Sequence, residues 1–136
     1  MTVPRVTDVN VILRYLLADH PEFSPQAAQF FEQVRNGAAT ALIPEGVLVE
    51  CVYVLMKFYA VPRPEVAEKL SQVISYRGVV NPNREILLEA LALLTRHAID
   101  IVDAMVFVTA QHHGWTTFSF DQDIHKLERE TDDSAG

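Results

Sequence analysis

Ten residues from Val47 to Met56, VLVECVYVLM, hold nine apolar side chains and one carboxylic acid, Glu50. A run this apolar is the mark of a helix packed inside a protein. Burying an ionised carboxylate there without a partner is very costly, so folds pair it, protonate it or give it to a metal. Any fold of this chain must therefore provide Glu50 with partners. The natural candidates are other acids meeting it around a cation.

The 136 residues suit one domain with a sizeable core, and 49% apolar with 21% charged residues is a globular balance. The one cysteine, Cys51, rules out an internal disulfide and points to a reducing compartment. It reads as a small core hydrophobe rather than a nucleophile. The N-terminal MTVPRVTDVN lacks the plan of a signal peptide, and no apolar run reaches membrane-spanning length. A cytoplasmic protein is expected. A net charge of −7 argues against a simple non-specific nucleic-acid binder. It is compatible with an acidic enzyme site neutralised by a divalent metal.

Strands and helices alternate along the chain. Val3–Thr7 reads as a strand, followed by Asp8 and by Asn10 as a helix cap. Val9, Ile12, Leu13, Leu16 and Leu17 then have the spacing of a core-facing helix. Ser24-Pro25 starts a helix that Gly37 stops. Thr40–Ile43 reads as a second strand, and the Glu50 helix follows it. Arg63-Pro64 opens the next helix, Val79-Val80 form a third short strand, and Asn83 caps another helix. Asp100-Ile-Val-Asp103 opens a helix that is apolar nearly all round, ended by His112-His113-Gly114. Trp115–Phe120 reads as a strand, Asp121 follows, and a last helix runs to about Glu130. This alternation predicts an α/β fold: a three-layer α/β/α sandwich around a central parallel sheet of four to five short strands.

The acids fall at telling places. Asp8 and Asp121 each follow a strand, at the sheet edge where such folds hold ligands. Asp103 lies in the first turn of the most apolar helix, and Glu50 within the second. Four converging carboxylates repel one another unless a cation sits among them. Oxygen ligands without cysteine or organised histidine favour Mg2+ or Mn2+ over Zn2+. Such a cation polarises a phosphoryl oxygen and supplies a hydroxide, which is phosphodiester hydrolysis. Each acid also has a purely structural reading. Asp8 reads as a turn residue before the Asn10 cap. Asp100 and Asp103 have capping-box spacing. Asp121 reads as a cap, with Asp123 as first-turn charge. Glu50 reads as a snorkelling side chain at a helix edge.

Four segments resemble, in order, the motifs of PIN-domain nucleases, above all VapC-type toxins. They are Thr7–Leu17 (TDVNVILRYLL), Ile43–Leu55 (IPEGVLVECVYVL), Asp100–Ala104 (DIVDA) and Thr117–Asp123 (TFSFDQD). The resemblance implies that Asp8, Glu50, Asp103 and Asp121 are catalytic metal ligands for Mg2+ or Mn2+, with Asp123 adding a contact through water. Asn10 and Ser119 would orient those acids. It further implies one PIN-like domain over residues 1–130, with 131–136 as a disordered tail. The final edge strand of the family is expected to be short or absent. The implied activity is that of a small cytoplasmic, often dimeric ribonuclease, silenced by a cognate antitoxin that reaches into the site.

Arg14, less than two turns beyond Asp8, reads as a contact for substrate phosphate or partner, or as part of a solvated face. His112 and His113 suit the negative end of a helix. Two other classes compete. A catalytically silent interaction module would be marked by a missing acid, and all four are present. A flavodoxin-like phospho-acceptor domain would need a lysine at a later strand end, and Lys57, Lys69 and Lys126 do not lie at one.

Overall fold

The computed structural model describes residues 3–135. Met1, Thr2 and Gly136, the ends of the N-terminal stretch and of the expected tail, lie outside the described residues. The elements in order are β1 (Arg5–Val6), α1 (Val9–Leu17), α2 (Phe23–Asn36), β2 (Ala41–Leu42), α3 (Glu45–Lys57), α4 (Arg63–Ile74), α5 (Arg84–Arg96), α6 (Ile101–His113) and α7 (Gln122–Ala135).

The helices start and stop where local chemistry dictates. Asp8 caps α1 by accepting a hydrogen bond from the Val11 N–H at 3.0 Å, so the cap is Asp8 and not Asn10. Asp100 caps α6 through the Val102 N–H at 2.9 Å. Gly37 and Gly114 end α2 and α6 in the left-handed conformation, at φ 87° and 69°. The tail expected from residue 131 instead continues α7 as far as Ala135.

β1 pairs in parallel with β2, Arg5 opposite Ala41 and Val6 opposite Leu42. Val79 adds a single parallel bridge to Ala41. Beside it, Asn81 extends the ladder with its side chain. Its Oδ1 accepts from the Ile43 N–H at 2.9 Å, and its Nδ2 donates to the Ile43 carbonyl at 2.7 Å. Gly78 makes this junction possible: a Cβ there would lie 2.1 Å from the Ala39 carbonyl oxygen and 2.8 Å from that of Val34.

The expected four- to five-stranded sheet is therefore reduced, among the described residues, to two strands and a bridge. Trp115–Phe120 forms no strand. Its large side chains bury no apolar face, with Trp115, Phe118 and Phe120 at 64%, 90% and 88% exposure. Its backbone bonds go to helices instead: the Trp115 N–H donates to the Ala110 carbonyl at 2.9 Å, and the Ser119 carbonyl meets His125 Nε2 at 2.7 Å. The core is instead carried by helices, with α5 packed against both α4 and α6. It is one contiguous cluster that includes Ile12, Phe31, Leu48, Leu55, Leu70, Leu87, Leu91 and Ile101.

Candidate metal centre

The parallel pairing of β1 and β2 sends both strands toward the same edge. Asp8 lies two residues beyond β1, and α3, which carries Glu50, begins three residues beyond β2. α3 buries Leu48, Cys51, Val52 and Leu55 along one stripe. Glu50 lies on the opposite side of that helix and is exposed, which corrects the expectation of a buried acid. The apolar run supplies more hydrophobic residues than the inward stripe needs, and Glu50 uses the side left over. Asp8 and Asn10 are exposed as well. Asn10 makes no side-chain hydrogen bond among the described residues.

The acids that meet are Asp103, Asp121 and Asp123. Each offers a carboxylate oxygen, and these oxygens all lie within 4.8 Å of one another. Asp103 comes from the first turn of α6. Asp121 and Asp123 come from the start of α7, where the Asp121 carboxylate accepts from the Asp123 N–H at 2.8 Å and the Ile124 N–H at 3.4 Å. Ser119 Oγ accepts from the Asp121 backbone N–H at 3.0 Å. Asp8 and Glu50 are not part of this group.

The electrostatics mark the same two places. Burial, then the charge of Asp121 and a hydrogen bond with it, then the charges of Asp100 and Asp123, raise the Asp103 carboxyl above the usual carboxylate range. Burial first, then the charges of Glu50 and Asp8, push the Cys51 thiol up to about 12. Asp8, the cap of α1, and Glu50, the residue before Cys51 on α3, thus both bear on one sulfur, while Cys51 itself is a buried, unreactive core residue.

Several contributors carry little sequence signal. The Tyr53 hydroxyl, one turn beyond Glu50, donates to Asp100 Oδ2 and ties α3 to the start of α6. That bond, with burial and the charges of Asp100 and Asp103, pushes Tyr53 up to about 12. His125 bonds Glu128 at 3.1 Å, and Thr117 donates to Glu128 at 2.9 Å. Together with the His125 bond to Ser119, they hold the 117–119 segment against α7 ahead of Asp121. The i, i+3 spacing of His125 and Glu128 is the only trace of this in the sequence.

The model of the PIN domain family matches residues 5–130. This chain belongs to the PIN domain family. PIN domains are α/β proteins, generally metal-dependent nucleases that act on RNA. Comparison with curated proteins found no match, and comparison with solved structures found none either. Among the described residues, no helix is long and apolar enough to cross a membrane.

Proposed function

We propose that this PIN domain is a metal-dependent endoribonuclease of the VapC type, the toxin of a type II toxin–antitoxin pair. In this reading it works in the cytoplasm as a homodimer and is silenced by a cognate antitoxin. The observation that carries the nuclease assignment is the meeting of Asp103, Asp121 and Asp123 within 4.8 Å. Three carboxylates with no thiolate or imidazole among them are a donor set that fits Mg2+ or Mn2+. Burial first, and then repulsion from Asp121 and its neighbours, raises Asp103, and a cation would relieve the repulsion.

Asp103, Asp121 and Asp123 hold the ion in this proposal, and Asp8 and Glu50 complete the centre from α1 and α3. Their support is their common strand edge and the motif segments that carry them. A divalent cation supplies Lewis acidity to a phosphoryl oxygen and acidity to water. The chain's own work is positioning. Ser119 fixes the Asp121 backbone, Tyr53 fixes the α3–α6 junction, and the caps of α6 and α7 keep the acids at helix starts. The toxin role is supported by the ordered resemblance of all four motif segments.

Purified protein should cleave RNA in Mg2+ or Mn2+. Asp8→Asn and Asp103→Asn should each lose more activity than the ~10–100-fold typical of disturbing an outer partner of a metal. Equal cleavage by wild type and both variants would overturn the site assignment. A neighbouring gene for a small DNA-binding antitoxin would support the toxin reading, and its absence would favour a housekeeping nuclease.

A further inference from the structure

We propose that substrate RNA lies along the groove between α1 and α2, with the amide face of α2 reading base edges. The choice of RNA as ligand rests on the ribonuclease reading above. The groove has a volume of about 580 Å³ and opens beside Asp8.

Its lining is less acidic than the chain as a whole. The protein carries −7 overall, yet this groove is lined by two arginines, Arg5 and Arg14, against one aspartate, Asp8. Arg14 is already engaged, with Asp19 at 2.8 Å and the Tyr59 hydroxyl at 3.1 Å. Arg5 makes no ion pair among the described residues. Its guanidinium lies 4.9 Å from the Phe30 ring centroid, an arrangement that leaves its N–H groups open to a phosphate. Arg5 thus offers one point of attachment for a backbone phosphate in an otherwise largely neutral groove.

The facing wall is α2. Gln26, Gln29 and Gln33 recur at i, i+3 and i+7, so they share one side of the helix, and all three line the groove exposed. None of their amides has a hydrogen-bond partner among the described residues. Each amide offers both donors and an acceptor, the chemistry that pairs with base edges of unpaired RNA. At the head of the groove is an independent sign of a missing ligand. Thr7 is only 5% exposed, and its Oγ1 has no partner. Buried hydroxyls are rarely left so. A ribose 2′-hydroxyl, donor and acceptor at once, would satisfy it, and that group is what separates RNA from DNA.

The test is fluorescence anisotropy with a short, unstructured, labelled RNA and the full chain in EDTA, where occupancy is read without cleavage. Gln29→Ala and Gln33→Ala should each weaken binding by about five-fold or more. Arg5→Gln should lower the salt slope by roughly 0.7, the value for one phosphate on a single strand. Thr7→Val should narrow the preference for RNA over DNA of the same sequence. Gln72→Ala, exposed on α4 outside the groove, should bind as wild type does. The proposal is overturned if the groove variants all bind like Gln72→Ala, or if wild type binds no RNA. Loss of binding in the groove variants of a protein that never cleaves RNA would support the groove and sink the nuclease reading. Cleavage with unchanged groove affinities would do the reverse.

Discussion

Asn81 is the side chain on which the edge leading into α3 most depends. It is 8% exposed, and its amide meets both the N–H and the carbonyl of Ile43, one residue before Pro44 and two before α3. Asn81→Ala removes both partners at once. Each buried backbone group left unpaired costs about 1–3 kcal/mol. With some water entering the vacated space, we expect a total loss near ~3 kcal/mol. For a chain of this length that corresponds to a fall in melting temperature of about 10 °C. Far-UV circular dichroism and tryptophan fluorescence should report the same transition, as two-state unfolding requires. Asn81→Asp sharpens the reasoning, because it keeps the acceptor for the Ile43 N–H but sets a carboxylate oxygen against the Ile43 carbonyl. It should be about as unstable as the alanine variant at neutral pH. It should recover part of the loss as pH falls toward about 4, since a protonated carboxyl can donate. A drop of less than ~2 °C for Asn81→Ala would show that water replaces the amide fully.

Two other perturbations have clear signs. Gly78→Ala places a methyl group 2.1 Å from the Ala39 carbonyl oxygen, so backbone must move. A loss of ~3 kcal/mol or more in urea unfolding is expected, at the upper end of overpacking effects. The carboxyl of Asp103 is raised in the folded protein, so the stability linked to its protonated form is present at low pH and is lost as pH rises through the raised value. Asp103→Asn should therefore melt higher than wild type at neutral pH in EDTA, with the gain fading as pH falls toward about 4. Saturating Mn2+ should reverse that order, because only wild type keeps the full ligand set.

The helices were legible because period and caps agree. Ile12 and Leu13 on α1, and Leu48, Cys51, Val52 and Leu55 on α3, mark inward stripes that the spacing announces. The strands were less so. Trp115–Phe120 has β-forming residues, yet strand formation needs a neighbour, and the segment's polar groups are taken by Ser119 and His125. Glu50 shows the limit of reading burial from composition: a run of apolar residues does not say which of them the stripe leaves outside. Of the acidic set expected, Asp8, Glu50, Asp103 and Asp121 with Asp123 through water, Asp103, Asp121 and Asp123 lie together. How near Asp8 and Glu50 come to them depends on the packing of α1 and α3 against the rest, which no local pattern encodes. Thr7 heads the first motif segment without any sign there of its unpartnered hydroxyl, and the glutamine face of α2 has no motif; burial and groove geometry alone single them out.

The most direct measurement is a calorimetric titration of Mn2+ into the wild-type chain and Asp103→Asn near neutral pH. Wild type should bind the ion, because Asp103, Asp121 and Asp123 each offer a carboxylate oxygen within 4.8 Å of the others. Asp103→Asn should bind at least about ten-fold more weakly. Equal affinity in the two proteins would mean that the ion, if bound, is held elsewhere.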